Sequence, residues 1–484
     1  MDENLIFFNE NISLLLFSMR IVIHAPMFDV NRIINENKGK HLSLHQYINP
    51  QFAKVLKTIG FDQSYVKANG ASLFDTQNKE YFDFLSGYGV FALGRNHPRI
   101  KDILKNYIDQ DSASLIQMEA PLLSGLIAEK LIQIMGHGVR DMVFFTNSGT
   151  ESVEGALKFA RAATSRHRFL NLDHAFHGLT TGSLAVNGNK EFKDLFGELL
   201  PTDTIPQNDL KALEDKLKTK QYAAFIFEPI QGKGVYLPQE NYIKEAIALC
   251  QKYGTISIAD EVQTGLGRTG KWLACDHDNA EPDMITISKA LSGGMVPVGA
   301  IIYKRSIYDK VFSRMDRCVV HSNTFGQNNL GMCCGLATLA IIEEENLINK
   351  SEILGEKLAT KLKSIQEKHD WIKEIRHKGL MFGIEFKRPS SLKGKMAWDA
   401  AHKLDKGLFA ELIVMQLMAK HQIITQVSGH HQDIIKLLPP LIIEESHIDL
   451  FTNALDSVLD DCGKISGPIF KMAANLAKHA VKSS

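Results

Sequence analysis

The sequence predicts an α/β protein: a mainly parallel sheet covered by helices on both faces, with a second α+β domain built from both ends of the chain. Three observations predict it. From about residue 140, short continuous apolar runs alternate with amphipathic helical stretches, as expected for a parallel sheet buried on both faces. Chemistry-bearing polar residues follow directly on those runs, and in such sheets function collects at the carboxyl ends of strands. The flanks, around 31–95 and from about 336 onward, instead mix helices, "LGEKLATKLKSIQEKHDWIKEIRHKG" among them, with short strands such as "GLMFGIEFK" and "IIKLLPPLII". The expected division is an N-terminal extension over 1–40, a small-domain segment over 41–95, a large domain over 96–335, and a return to the small domain over 336–484.

A chain of 484 residues with 44% hydrophobic and 23% charged content can bury a sizeable core. Lys+Arg and Asp+Glu both total 55, so no net field draws the chain to nucleic acid or to an anionic membrane. The six cysteines form no even framework: Cys333 and Cys334 are adjacent and Cys250, Cys275, Cys318 and Cys462 are scattered. This suits free thiols in a reducing compartment, and a cytoplasmic location is expected. The apolar N-terminal patches carry Asp2 and Glu3 where a secretory signal needs basic residues, and no apolar run approaches the ~20 residues of a membrane span. Residues 1–30 read as a loosely packed extension, and Met19 or Met27 could serve as the natural start.

The elements follow in order. The strand "DMVFFT" opens into Asn147-Ser148-Gly149-Thr150 and a helix over 151–163. Small residues at a helix start leave backbone N–H groups free, and the dipole favours an anion there. The same residues also make an ordinary Ser cap with Glu as partner. "RFLNLD" is the next strand, followed by "HAFHG". His174 and His177 stand three apart, but no Cys or carboxylate cluster at ligand spacing supports a metal, and none is expected. Phe176 offers an aromatic face near the anion site. "AAFIFEP", the helix "YIKEAIALCQKYG" and the strand "TISIAD" come next. Asp260, ending that last strand, needs a cation or several donors, either on a bound ring nitrogen or within a cap or internal salt bridge.

"GLGRTG" (265–270) matches the dinucleotide-binding spacing. The required amphipathic helix does not follow, since "KWLACDHDNAEPD" is polar and broken by proline, so the match is coincidental. The run "DMITISKALSGG" then places Lys289 at the end of an apolar strand, 289 − 260 = 29 residues after Asp260. Ammonium groups are rarely buried without a partner. An anion nest, an aromatic plate, a carboxylate and a strand-end lysine together can hold a phosphorylated aromatic aldehyde, and pyridoxal phosphate is such a molecule.

Here the chain resembles the class III pyridoxal-phosphate aminotransferases. "NSGTESVEGALKFAR", "AFHG", "FEPIQGKG", "ADEVQTGLGRTG", "ITISKALSGG", "HSNTFGQNNL" and "RHKGLMFGIEF" stand in that family's order and spacing over about residues 45–460. Within the class, the likeness is to putrescine and ornithine aminotransferases. The resemblance implies aminotransferase fold type I, with a mainly parallel seven-stranded sheet in the large domain, and a homodimer. It implies that Lys289 forms the internal aldimine and then shuttles a proton, while Asp260 pairs with the ring nitrogen. Ser148, Gly149 and Thr150 would hold the phosphate, Phe176 and Val262 the two ring faces, and Gln263 the region of the ring hydroxyl, with His177 and Glu228 beside the cofactor. Thr324 would reach the neighbouring subunit's cofactor, and Tyr88, Glu228 and Lys436 would line the substrate site.

Two departures stand out. In "IIKLLPPL", Lys436 occupies the place of the family's carboxylate-binding arginine, and lysine cannot make the bidentate contact. It is expected to pair with Glu228 instead. In "QGKGVYLP", Lys233 and Val235 replace the usual acidic residue and glycine. The implied function is ping-pong transfer of an amino group from a primary amine, diamine or ω-amino acid to an oxo-acid or aldehyde. An aminomutase, racemase or decarboxylase on the same scaffold is the alternative. A non-catalytic regulatory protein would be expected to carry an appended DNA-binding module, and no basic or helix-turn-helix-like module is read before residue 45.

Overall fold

The computed structural model describes residues 29–462 except 117 and 404. Most of the expected N-terminal extension and all of the amphipathic tail "GPIFKMAANLAKHAVK" apart from its surroundings before 463 lie outside the described residues. The chain divides into two compact units, one comprising the residues up to Val66 with Asp75–Lys79, the other Lys67–Phe74 with everything from Glu80 on. In the first, the helix Val30–Glu36 is capped by the Asp29 carboxylate, which accepts from the N–H groups of Asn31 and Arg32. The helix Pro50–Ile59 starts at an Asn49 cap with Pro50 in its first turn and stops at Gly60 in the left-handed conformation.

Three sheets succeed one another along the chain. Strands β1 (Tyr65–Asn69), β2 (Ser72–Asp75) and β3 (Glu80–Asp83) belong to a short four-stranded sheet. Strands β4 (Met142–Thr146), β5 (Arg168–Leu172), β6 (Thr202–Ile205), β7 (Tyr222–Phe227), β8 (Ile256–Asp260), β9 (Met284–Ile287) and β10 (Gly299–Tyr303) make the central sheet, in the order β4-β10-β9-β8-β7-β5-β6. Pairings from β6 through β9 are parallel, and β10 alone runs antiparallel to both its neighbours. The expected seven-stranded, mainly parallel sheet is present. Its strands are apolar because both faces are covered: every residue of β7, β9 and β10 is buried. The helix Gly149–Thr164 buries Val153, Ala156, Leu157, Phe159 and Ala160 in a core shared with Phe169, Ile301, Tyr303 and Phe312.

The third sheet is antiparallel, with β11 (Ile372–Lys378), β12 (Met381–Phe386), β14 (Gln426–Val427) and β15 (Ile434–Leu437) in the order β11-β12-β15-β14, while β13 (Ile423–Ile424) pairs in parallel with β3. One sequence reading is corrected here. The stretch "LGEKLATKLKSIQEKHDWIKEIRHKG" was expected to be helical throughout, yet the helix Leu347–Lys368 ends at Lys368 and β11 follows. His369 is already extended, Trp371 and Ile372 are buried, and Gly379, at φ 51°, turns the chain into β12. Among the described residues no helix is long and apolar enough to cross a membrane.

Candidate active site

Asp260 ends β8 and lies opposite Thr286 of β9, three residues before Lys289. Its carboxylate is nearly closed off from solvent. One oxygen meets the His177 ring Nδ1 at 2.8 Å, and the other accepts from the Val262 N–H at 3.1 Å and the Thr286 hydroxyl at 3.2 Å. His177 is itself buried, and its Nε2 has no partner among the described residues. His177 therefore reaches the acid rather than open space.

Lys289 opens a short 3₁₀ turn, Lys289–Ser292, that stops at Gly293. Its φ of 37° puts a non-glycine residue in the left-handed region, a strained backbone of the kind that surroundings must hold in place. Burial pushes its amine below the ordinary lysine range, while the Asp260 and Glu228 carboxylates pull it back part of the way. These two acids are the charges that act on it directly, and among the described residues neither comes within ion-pair distance of it.

Across β10 sits the start of the helix Gly149–Thr164. Ser148 caps it, accepting from the Glu151 N–H, and Glu151 in turn accepts from the N–H and side chain of Asn147. The cap reading of Ser148 is therefore realised. The N–H groups of Gly149 and Thr150 have no acceptor among the described residues, so two donors still face outward at the positive end of the dipole. The Thr150 hydroxyl is engaged with those of Thr180 and Ser183. Glycine is required at 149, because a Cβ there would lie 2.7 Å from Val262 Cγ1. Val262 and the helix start are thus in direct contact.

Glu228 follows β7 and is buried, with its two oxygens accepting from the N–H groups of Phe176 at 2.9 Å and Gly232 at 2.8 Å. Burial foremost pushes its carboxyl up, and Asp260 adds to that. The Phe176 ring meets Phe192 edge-on at 5.6 Å. Lys436 does not pair with Glu228 as expected. Its ammonium donates to the Gly232 carbonyl at 2.5 Å and approaches Gln263 Oε1 at 3.5 Å. Each oxygen of Glu228 is already engaged by a backbone donor, and the acid acts on Lys436 only through space. Burial, with Lys289 and Lys233 nearby, lowers the Lys436 pKa to about 7.

Tyr88 sits in a left-handed turn, with φ of 45°, 60°, 60° and 92° at Ser86, Gly87, Tyr88 and Gly89. Its carbonyl accepts from Gln263 Nε2 at 3.2 Å, its ring lies 5.7 Å from the Lys436 ammonium, and its hydroxyl donates to Gln426. Gln426 pairs directly with Lys436 across β14 and β15. No motif points to Gln426, because only the strand register brings it to the site. Thr324 stands apart, exposed on a loop that Asn323 ties to the Phe145 carbonyl. The "GLGRTG" segment is a structural corner: the Arg268 guanidinium is buried and donates to the Leu380 and Pro439 carbonyls.

Twelve of the thirteen expected site residues thus lie at the carboxyl ends of β4, β5, β7, β8 and β9, on β15 or in the turn at Tyr88, within the part of the chain where one family model matches. That model, for class III aminotransferases, covers residues 58–459. The chain belongs to the class III aminotransferase family. It is 35% identical over 410 residues to the acetylornithine aminotransferase of Methanocaldococcus jannaschii, covering 82% of this chain and 94% of that protein. It is 32% identical over 468 residues to the aminotransferase PigE of a Serratia species, covering 89% of this chain but only 55% of PigE, so it spans about half the length of that relative. Among solved structures, the ornithine aminotransferase of Toxoplasma gondii superposes with a TM-score of 0.73 at 28% identity, over 83% of this chain and 92% of that one. Class III aminotransferases have fold type I and depend on pyridoxal phosphate as a family.

Proposed function

We propose that this chain carries pyridoxal phosphate at the site described and moves an amino group from a primary amine, diamine or ω-amino acid to an oxo-acid or aldehyde. The residues fit that cofactor. Two free N–H groups at Gly149 and Thr150 suit its phosphate, and the glycine leaves room where Val262 closes against the helix. Asp260, oriented by three donors, suits the ring nitrogen. Val262 and Phe176 would bound the ring, Gln263 and His177 its edge, and Thr324 of a neighbouring copy would complete the phosphate site in a homodimer. When bound, the cofactor supplies an aldehyde that holds nitrogen and a ring that withdraws electrons.

The chain's own residues do the rest. Lys289 Nζ, its proton affinity lowered by burial, anchors the cofactor and moves a proton on and off the substrate carbon. Asp260 would hold a proton at the ring nitrogen, and His177 fixes the carboxylate's orientation. Tyr88, Glu228 and Lys436 shape the substrate side. The single observation that carries the reading is the strained Lys289, its amine held below the ordinary range, under the influence of a fully oriented buried Asp260. The test is a half-reaction screen with amines, diamines and amino acids, followed by the cofactor's long-wavelength absorbance. Bleaching by at least one donor, with label from that donor's nitrogen recovered in a second molecule, is the expected result. Absence of bleaching with every donor, or retention of labelled nitrogen on the first substrate, refutes transamination.

A further inference from the structure

The loop Gln231–Tyr236 is held at several of its backbone groups. Gln231 and Tyr236 form a bridge. The Gly232 carbonyl accepts from Lys436, and the Gly234 N–H donates to the Ser428 hydroxyl. The carbonyls of Gly234 and Val235 accept from the Arg376 guanidinium at 2.9 and 3.2 Å. That guanidinium is in turn fixed by Glu374 and Glu385 and lies 4.8 Å from the Tyr236 ring centre. Val235 is buried at φ 50°, a conformation a β-branched residue tolerates only where the surroundings impose it.

Held in this way, the loop carries Lys233. Its ammonium stands 4.1 Å from the Phe192 ring centre and 5.6 Å from that of Phe176, the aromatic residue at the heart of the site. The next residue back, Gly232, holds the Lys436 ammonium. Among the described residues no carboxylate lies within ion-pair distance of either lysine; Glu191 and Glu228 act on Lys233 only from farther away. Burial lowers both amines, and Lys233 further lowers Lys436. Two half-buried to buried amines beside one site, with no anion to match, keep their charge only at a cost, and a ligand carboxylate would supply the missing charge.

We propose that Lys233 is a specificity-determining residue that sets a second cation beside Lys436, which stands where the family's carboxylate-binding arginine does, so that the two amines together take the carboxylate of a substrate. This rests on the aminotransferase reading above. The ligand class is a substrate with a carboxylate at a distance from its reacting amine or carbonyl. The carboxylate could come from an oxo-acid acceptor or an amino-acid donor, and the chemistry at Lys233 is the same in both cases. The aromatic faces of Phe176 and Phe192 keep the ammonium aimed without neutralising it.

The test uses the pyridoxal-phosphate-loaded enzyme, its Lys233→Met variant and its Lys233→Arg variant. Glutarate, which has the charge but no group to react, is the probe, titrated calorimetrically. Lys233→Met is expected to weaken glutarate by about tenfold or more, with Lys233→Arg recovering most of it. In parallel, the rate ratio of an oxo-acid over the aldehyde of equal length, and of an ω-amino acid over the plain amine, is compared among the three proteins. A fall of about tenfold in the first ratio assigns the carboxylate to the acceptor, and in the second to the donor; either supports the proposal. Unchanged glutarate affinity in Lys233→Met, or both ratios within about twofold of the parent, overturns it. If no amine bleaches the parent enzyme, the aminotransferase reading fails, while the glutarate titration still decides whether the two lysines bind a carboxylate.

Discussion

The floor of the site and its rim are built on opposite terms. On the floor, Asp260 has three partners and Glu228 has two backbone donors, so each buried acid is satisfied by the protein itself. At the rim, Lys436 rests on one carbonyl and Lys233 on aromatic faces, so the positive charges there are held in place without being matched. On the proposed reading the floor would serve any amine, because its groups would address the cofactor, and the rim would discriminate, because its amines would be matched only by a ligand.

Breaking the floor should cost most. Lys289→Ala is expected to lose the covalent cofactor signal and to lower turnover by about a thousandfold or more, measured by absorbance and steady-state rate. Asp260→Ala, which removes a preoriented charge, should lower the first half-reaction by about a hundredfold while cofactor remains detectable. Gly149→Ala forces a methyl group against Val262 and should cost about 1–3 kcal/mol in thermal or denaturant unfolding, with Val262→Ala in the same chain restoring most of it.

The rim is expected to respond more weakly and to pH. Lys436 has its pKa lowered to about 7 by burial and by Lys289 and Lys233, with Glu228 opposing. It is therefore charged below that pH and neutral above it, so carboxylate attraction is present at lower pH and lost as pH rises through about 7. KM for a carboxylate substrate should be flat below that point and climb above it, and Lys436→Arg, which stays charged, should flatten the profile. The smallest effect is expected from Gln426→Leu: losing the Tyr88 contact removes about 1 kcal/mol, read as a rise of about fivefold in KM with kcat little changed.

The contrast also explains what the sequence could reveal. Lys289, Asp260 and the Asn147–Thr150 turn are local events, each an apolar strand ending on a polar residue, and they are legible because strand and function share one short segment. The central sheet was legible for the same reason, since its strands are buried on both faces and read as unbroken apolar runs. The His177–Asp260 contact joins residues 83 apart, and the rim combines residues 88, 233, 426 and 436 from separate regions. No periodicity announces such meetings. β11 was misread because Lys373, Glu374, Arg376 and Lys378 continue the charge pattern of the preceding helix. Burial of Trp371 and Ile372 and the left-handed Gly379 then decide for a strand. Lys436 was recognised as a departure, but its actual partner, a main-chain carbonyl, is invisible to any comparison of side chains.

The placement of β10 between β4 and β9 has a consequence for how the molecule is made. Gly149 and Lys289 are 289 − 149 = 140 residues apart, yet only the strand Gly299–Tyr303 separates their neighbourhoods in space. During synthesis β4 has no neighbour to join until residue 303 has emerged, so its hydrogen-bonding edge waits open while some 150 further residues are added. The last strand laid down closes the sheet and brings the two halves of the cofactor site together in one event. Competence to take up cofactor would then report completion of the sheet, and a nascent chain released before β10 should be aggregation-prone and unable to bind.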